Sequence, residues 1–399
     1  MGRLTMPRHQ KITPIMCNTL GPDDAQMARD LLKIEDKWQD PAPVDQAEKW
    51  LAHWLDLKQV FGFMGGRAAL YAIAKAMGLS KGDEVIIPGL TCQVVVNAFE
   101  YNGATCVHAD IERDTFNMDV QRFAEKITPK TRAVLLQHTF GVPARDTLAI
   151  LAMAKSHGIM VIEDVAHGLG GRLLRQKLGT FGDVAFFSTK RTKMINTIHG
   201  GFAATSNPAI LKGLKQVYDS AGYPSADKIK DILNTLLFCY YTKVHKNRVN
   251  RFDWARKIYG QNLIPQMTDL ELLGKFEPMY ACKMPGPIGA LALNQLKKFE
   301  TFIPLRQAAA RKWEQWAVSN GYGISSPADD SYCTWLRYPV IVPEHLKTDT
   351  SWIEKDLAME PGVWFQTPCH PNNREIFDIP IGWEIARTVV NLPTGLWID

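Results

Sequence analysis

Three groups of residues combine types and spacings that could do chemistry. Gly65-Gly66-Arg67-Ala68 lies between a predicted strand and a predicted helix. Asp164 ends the apolar run IMVIED, and His167 follows it three residues later. The segment from Ser188 to Lys193, with three hydroxyls and three cations, follows the apolar run VAFF. All three groups lie at the carboxyl ends of predicted strands, which is where open α/β sheets bind ligands.

The glycine turn predicts an anion site. Glycines let the backbone pass close to a ligand, and the start of the following helix offers unpaired N–H groups to a phosphate. An ordinary tight turn would explain the same residues. No G-K-[ST] follows, so the turn is not a P-loop, and it lacks the G-x-G-x-x-G pattern of dinucleotide binding.

The acidic and cationic groups also have two interpretations each. Asp164 could face a cationic ring nitrogen or cap the next helix, and a lone residue such as His167 is more often structural than catalytic. The segment 188–193 could be a solvated charge cluster, or an anion site with an amine for Schiff-base chemistry. Together the three groups supply what pyridoxal 5'-phosphate needs: a phosphate cup, a carboxylate for its ring nitrogen and a lysine amine.

The elements that must position these groups follow a strand–turn–helix order from about residue 59. Short apolar runs such as EVIIP, RAVLLQ and DVAFFS alternate with helical segments. Buried runs of this kind predict an α/β fold with a doubly wound, mostly parallel sheet. We also expect a helix over 23–38, one long helix from Met284 to about residue 317, and a strand at WLRYPVIV that begins a smaller C-terminal α+β unit.

We expect a large cofactor-binding domain over 1–275 and a small C-terminal domain over 276–399. An atypical helical or irregular insert at about 222–278 joins an apolar segment to a basic tract that includes Lys246 and Arg248. Such an insert could simply pack on its own domain, or lie on an anionic membrane surface. As a hypothesis about function, we favour a lid that closes over a phosphorylated substrate.

Composition excludes several classes of protein. The 399 residues are 46% hydrophobic and 22% charged, as in soluble globular proteins. The net charge of +5 is small and spread along the chain, so nucleic acid is not an expected partner. No apolar run approaches the roughly 20 residues of a transmembrane helix. Seven scattered cysteines without a C-x-x-C pair predict no zinc or other metal site and fit a reducing cytoplasm.

Four continuous segments carry a family resemblance. They are GGRAALYAIAKAMGLSKGDEVIIPGLT, YNGATCVHADIERDTFNMD, HTFGVPARD and VIEDVAHGLGGRLLRQKLGTFGDVAFFS. In their order and spacing they resemble the DegT/DnrJ/StrS family of PLP-dependent sugar aminotransferases, which have the aspartate aminotransferase fold (fold type I). The resemblance covers about residues 59–220 well and about 280–345 moderately.

The resemblance implies a role for each matching residue. Asp164 matches the carboxylate at the pyridine nitrogen, and His167 the residue that bonds the phenolic oxygen of the cofactor. Ser188 matches the phosphate-binding serine, and Lys193 the Schiff-base lysine five residues later. Lys190 is out of register for that lysine, although it could help to bind anions.

Other positions depart from the family pattern. Gly66, Arg67 and Ala68 match the phosphate-binding turn, but Arg67 replaces a usual Thr or Ser; a guanidinium can still hold phosphate. Cys92 stands where an aromatic residue usually stacks on the cofactor ring. In the family, an N-Y-R stretch reaches the phosphate of a neighbouring subunit. In this sequence Lys283 is the charged residue of the matching stretch.

The resemblance therefore implies a cytoplasmic homodimer with shared active sites. It would convert a keto-sugar, expected to be nucleotide-linked, into an amino sugar with L-glutamate as donor, for polysaccharide, lipopolysaccharide or antibiotic sugar synthesis. Two alternatives stay open. One is a related sugar dehydratase, although such enzymes carry His at the position of Lys193. The other is a non-catalytic, cofactor-binding regulator or scaffold.

Overall fold

The computed structural model describes residues 13–244 and 249–395, and its centre is a seven-stranded sheet. Numbered along the chain, the strands are β1 (Gln59–Phe63), β2 (Glu84–Pro88), β3 (Thr91–Cys92), β4 (Thr105–Ala109), β5 (Thr131–Gln137), β6 (Met160–Asp164), β7 (Arg172–Leu173), β8 (Gln176–Lys177), β9 (Val184–Ser188), β10 (Gly201–Thr205), β11 (Gly323–Ile324), β12 (Ser331–Tyr332), β13 (Arg337–Ile341), β14 (Cys369–His370) and β15 (Val389–Pro393).

Helices pack around this sheet and around the smaller C-terminal sheet. They are α1 (Pro22–Leu31), α2 (Ala42–Leu55), α3 (Gly66–Ala76), α4 (Gln93–Glu100), α5 (Val120–Glu125), α6 (Thr147–Ser156), α7 (Pro208–Ser220), α8 (Ala226–Cys239), α9 (Val249–Tyr259), α10 (Asp269–Leu272), α11 (Gly286–Leu296), α12 (Phe302–Ser319), α13 (Glu344–Thr348), α14 (Ser351–Leu357) and α15 (Pro380–Thr388). Among the described residues, no helix has both the length and the apolar character that crossing a membrane requires.

The central sheet has the strand order β1-β10-β9-β6-β5-β2-β4. From β9 to β4 every pairing is parallel, whereas β10 pairs antiparallel with both β9 and β1. Strands β5, β6 and β9 are almost entirely buried, because helices cover both faces of the sheet, and each strand has an apolar centre. The predicted α/β fold with a mostly parallel sheet is confirmed.

The C-terminal part forms a second, three-stranded antiparallel sheet in the order β11-β13-β15. The predicted single helix that leads into it is wrong, since α11 ends at Leu296 and α12 begins at Phe302. Pro304 explains the break. A proline in a continuous helix would clash with the carbonyl of Glu300 and lacks an N–H to donate, so it is tolerated only in the first turn of α12.

The N-terminal helix is also shorter than the predicted 23–38. Helix α1 ends at Leu31, and only a 3₁₀ turn follows at Glu35–Lys37. The first turn of α1 is capped, because the side chain of Asp24 accepts a hydrogen bond of 2.8 Å from the backbone N–H of Gly21.

The insert contains α8, α9 and α10. The apolar face of α8, which includes Ile232 and Leu236, is completely buried in the main core next to α1. The apolar segment therefore packs on its own domain, the plainer of the interpretations above. Lys246 and Arg248, on which the lid hypothesis depends, lie outside the described residues.

Candidate active site

A cavity of about 400 Å³ opens at the carboxyl ends of β5, β6 and β9. Its volume is in the range of sites for small molecules. Seven of the nine residues singled out from the sequence line it: Gly66, Arg67, Cys92, Asp164, His167, Ser188 and Lys193. The fold thus brings the three chemical groups of the sequence to one place.

Asp164 is the last residue of β6 and is only 5% exposed. Its Oδ1 accepts a hydrogen bond of 2.9 Å from the backbone N–H of Ala166, so it does serve the turn that follows. Burial raises the pKa of Asp164 to about 6, because a desolvated carboxylate is less stable than the acid. A protonated ring nitrogen beside it would supply a compensating charge and lower that pKa.

His167 is held in one protonation state by its surroundings. Its Nδ1 accepts a hydrogen bond of 3.2 Å from the backbone N–H of Phe140, and the two rings stack at 16° with centroids 6.3 Å apart. Burial, and then the charges of Lys193 and Arg337, lower the pKa of His167 well below its ordinary value. A neutral ring whose Nδ1 accepts carries its proton on Nε2. His167 can therefore donate one hydrogen bond to a ligand oxygen.

Lys193 lies in the loop between β9 and β10, whose backbone is fixed by hydrogen bonds. The backbone N–H of Thr189 donates to the carbonyl of Gly200, and that of Lys193 to the carbonyl of Lys190, both at 2.9 Å. Within the described part of the chain, the Lys193 amine has no hydrogen bond or ion pair. Burial lowers the pKa of Lys193 to about 8, so near that pH far more of this amine is neutral and nucleophilic than in an exposed lysine.

The start of α3 forms a cradle for an anion. No side chain caps this helix, so the N–H groups of its first turn, including that of Ala68, are available. A Cβ built on Gly66 would lie 2.8 Å from the Cβ of Ser188, so only glycine lets the helix approach the end of β9 this closely. These N–H groups and the Ser188 hydroxyl together can bind a phosphate.

Lys190 lies at the same end of the cavity. Its backbone N–H donates to the hydroxyl of Ser188 at 3.4 Å, and its amine has no partner among the described residues although the side chain is only 8% exposed. Burial, and then the charge of Arg67, lower the pKa of Lys190 well below its ordinary value. An anion in the cradle would therefore find a second lysine ready to take up a proton.

Arg67 already has a partner of opposite charge. Its guanidinium forms an ion pair with Glu271 of α10 and donates a hydrogen bond of 3.2 Å to the carbonyl of Gln266. Burial alone would lower the pKa of Arg67, but the adjacent carboxylate of Glu271 more than offsets it and the pKa is raised. This pair holds the insert against the rim of the cavity, where Gln266 and Leu272 line it.

Two of the predicted residues contribute no side chain to the cavity. The side chain of Ala68 is buried outside it, although its N–H belongs to the cradle. Lys283 is elsewhere, with its Nζ 4.6 Å from the ring centroid of Tyr223 and 5.8 Å from that of Tyr218. The sequence assigned Lys283 to the site of a neighbouring subunit, and that assignment stays a prediction.

The sequence analysis did not predict the aromatic residues that line the cavity opposite the sheet. Trp364, Phe365 and His370 of the C-terminal part line the cavity, and Cys92 pairs with His370 through the short strands β3 and β14. Cys92 thus faces a cavity that has aromatic residues of its own. Trp364, Phe365 and His370 come from the single stretch 364–370, far from Cys92 in the sequence, and no motif marks the two segments as belonging to one site.

The residues present fit pyridoxal phosphate. The glycine cradle can accept a phosphate. In the part of the chain that the structure describes, the amine of Lys193 has no partner and so can hold an aldehyde, and the buried carboxylate of Asp164 forms no ion pair. A group that brings a phosphate, an aldehyde and a basic ring nitrogen satisfies all three.

The fold is that of the fold type I enzymes that use pyridoxal phosphate, and comparison with known proteins gives the family. Residues 18–396 match the model of the DegT/DnrJ/EryC1/StrS aminotransferase family. The chain belongs to this family of pyridoxal-phosphate-dependent sugar aminotransferases, as the sequence resemblance predicted.

Individual relatives agree with this membership. The chain is 30% identical over 335 residues to the spore coat polysaccharide biosynthesis protein SpsC of Bacillus subtilis, covering 83% of this chain and 76% of SpsC. It is 38% identical over 313 residues to GDP-perosamine synthase of Caulobacter vibrioides, covering 78% and 72% of the two chains. NtdA of Bacillus subtilis, solved with bound cofactor PMP, superposes with a TM-score of 0.73 at 20% identity, over 98% of this chain and 82% of NtdA.

Proposed function

We propose that this enzyme transfers the amino group of L-glutamate to a nucleotide-linked keto-sugar, and so makes an amino sugar. The observation that carries the proposal is that one cavity holds a buried carboxylate, Asp164, and a buried amine, Lys193, neither of which forms an ion pair among the described residues. Either group alone would be costly, and a cofactor that needs both explains why they coexist.

In this proposal each side chain has a separate task. Asp164 would keep the ring nitrogen of the cofactor protonated, and His167 would donate from Nε2 to its phenolic oxygen. Lys193 would hold the aldehyde, and its amine, when free, would take up and return the proton of the reacting substrate carbon. Bound pyridoxal phosphate supplies an electron sink for that carbon. The α3 cradle, Ser188 and Lys190 bind the phosphate.

The nature of the sugar is inferred from relatives and from the shape of the site. Proteins named GDP-perosamine synthase are among the relatives, and that name describes a nucleotide-linked amino sugar. The cavity is bordered by apolar side chains such as Leu272, Trp364 and Phe365, which suit the faces of a sugar ring. A role in polysaccharide, lipopolysaccharide or antibiotic sugar synthesis would follow from such a product.

We further propose a homodimer that works in the cytoplasm. All seven cysteines are free, as expected in a reducing compartment. Lys283 carries its charge outside the cavity of its own chain, at a surface next to Tyr223, where a second subunit could receive it. The dimer would place this amine near the phosphate end of the neighbouring site.

A panel of nucleotide-linked keto-sugars tests the function. The purified enzyme, loaded with cofactor, is incubated with each sugar and L-glutamate, and amino sugar and 2-oxoglutarate are measured by mass spectrometry. We expect equal amounts of both products with at least one sugar and none with Lys193→Ala. Cofactor binding without amine transfer to any sugar would favour the regulator or scaffold.

A further inference from the structure

Helix α9 leaves large apolar side chains on the surface of the insert. Trp254 is 44% exposed, and Ile258, one turn later, is 49% exposed. Residues four apart lie on the same side of a helix, so these two side chains form one apolar strip. Scattered apolar side chains are ordinary on a protein surface, but a surface helix normally keeps polar residues on the side that faces water.

The strip is exposed although α9 is attached to the domain by other side chains. Ala255 is completely buried, and α9 packs against α8, whose apolar face lies in the main core. The ring of Trp254 meets the rings of Tyr241 and Tyr259 edge to face, with centroids 5.2 and 5.8 Å apart. Aromatic contacts of this kind have a preferred geometry, so the strip is presented in a defined orientation.

Positive charge accompanies the apolar strip. Arg256 and Lys257 lie between its two residues in the sequence, are both exposed, and form no ion pair among the described residues. In the sequence, residues 243–257 contain six lysines and arginines and one aspartate, a surplus that equals the net charge of +5 of the whole chain. The net charge is therefore not spread along the chain, as we expected from composition, but is concentrated in and just before α9.

We propose that Trp254, Arg256, Lys257 and Ile258, here called the α9 surface, bind a membrane that contains anionic lipids. This goes beyond the proposed function, which requires no membrane. An anionic bilayer attracts lysine and arginine to its headgroups, and Trp and Ile can enter the boundary between headgroups and acyl chains. Because a bilayer requires no matching shape, it can accept side chains on the convex face of a helix.

A second copy of this chain suits the α9 surface less well. The commonest dimers have two-fold symmetry, in which the same patch of both subunits meets. Such a contact would bring the cations of one α9 surface close to those of the other, and like charges at short distance repel each other. The exposed apolar residues Leu273 and Phe276 differ in this respect, since the sequence 269–277 has three acidic residues and one lysine. Charge therefore favours an anionic partner for α9.

Sedimentation of the cofactor-loaded enzyme with lipid vesicles tests the proposal. The vesicles consist of phosphatidylcholine alone, or of phosphatidylcholine and phosphatidylglycerol in equal parts. We expect binding to the mixed vesicles, much weaker binding to the neutral ones, and a loss of affinity as salt is added. Arg256→Gln with Lys257→Gln should lower the partition coefficient roughly 30-fold, since each cation near such a surface contributes roughly fivefold. Trp254→Ser with Ile258→Ser should lower it about tenfold or more, because a large part of each side chain remains to be buried.

Helix α12 offers matched controls. It carries the same exposed dipeptide, Arg311-Lys312, and the exposed apolar residues Leu305 and Val318. Arg311→Gln with Lys312→Gln, and Leu305→Ser with Val318→Ser, should leave vesicle binding unchanged. Circular dichroism checks that each variant is folded. The charge variant of α9 changes exposed side chains only, so it carries the test if the serine variant does not fold.

Each other outcome overturns the proposal. Wild-type enzyme that does not sediment with the mixed vesicles would do so, as would binding that both α9 variants retain. An equal loss in the α12 variants would indicate a general charge effect instead of a site. A dimer that dissociates in the α9 variants, measured by analytical ultracentrifugation, would assign the α9 surface to a second copy of the chain. Amine transfer from L-glutamate is tested separately, because these four residues are not among those that line the cavity.

Discussion

Replacing Lys190 by methionine should weaken the binding of pyridoxal phosphate and stabilise the cofactor-free protein. Lys190 is buried with an unpartnered amine beside Ser188. Methionine fills similar space without a polar group to desolvate, so the free energy of unfolding of the cofactor-free protein should increase. The lost contact to a phosphate corresponds to about 1.5–3 kcal/mol, or roughly 10- to 150-fold in affinity.

The matched control for Lys190→Met is Arg67→Met. For this variant the structure predicts a large loss of stability and a smaller loss of cofactor affinity. Arg67 is paired with Glu271, so its removal leaves a buried carboxylate without a partner. Breaking such a pair costs about 3–5 kcal/mol of stability. We therefore expect Arg67→Met to lower the unfolding free energy strongly and the cofactor affinity less than Lys190→Met does. Adding Glu271→Gln should restore much of the stability.

Affinity is best measured in a Lys193→Ala background, where covalent attachment cannot mask the phosphate contact. Titration calorimetry gives the dissociation constant, and chemical denaturation gives the stability. Because the pKa of Lys190 is lowered in the free protein, binding should also take up a proton when Lys190 is present. This reasoning would be refuted if Lys190→Met left the cofactor affinity unchanged and Arg67→Met lowered it strongly. Phosphate binding would then be assigned to Arg67.

Four further predictions follow from the site. Borohydride reduction and peptide mapping should find the pyridoxyl group on Lys193, and its appearance on Lys190 would overturn the register of the loop. Asp164→Asn should keep the fold but reduce turnover by about 10²-fold or more, as removal of preorganised electrostatic groups does; near-native activity would leave Asp164 with only its structural role in the turn that follows β6. The rate of covalent attachment of cofactor to the free protein should rise with pH through about 8 and then level off, because the amine of Lys193 must be neutral to react and its pKa is lowered to that value; a rise that continues to the pH range of an exposed lysine would contradict this. In analytical ultracentrifugation at micromolar concentration the protein should be a dimer, and monomers would remove the role of Lys283.

Much of the fold and of the site was predictable because the relevant signals are local in sequence. Strands β6 and β9 are short, mostly apolar runs that end in Asp164 and in Ser188. The same stretch of sequence therefore predicts both the strand and its functional residue. The break at Pro304 was also local, and the rule for prolines in helices would have found it.

What the sequence did not reveal depends on contacts between distant segments. Arg67 and Glu271 are 204 residues apart, and their ion pair exists only because α10 of the insert packs next to α4. Arg337 begins β13 and Trp364 lies in the loop before β14, and they contact each other only once the C-terminal part has folded. Spacing rules place Lys190 out of register for the cofactor, and its burial beside the cradle depends on how the loop folds back.

The most direct test of the proposed function uses L-glutamate labelled with ¹⁵N on its amino group. With a nucleotide-linked keto-sugar as acceptor, we expect the label in the sugar product, an equal amount of 2-oxoglutarate, and no transfer by Lys193→Ala. A cofactor-loaded wild-type enzyme that leaves the label on glutamate for every keto-sugar offered would contradict the function proposed for this site.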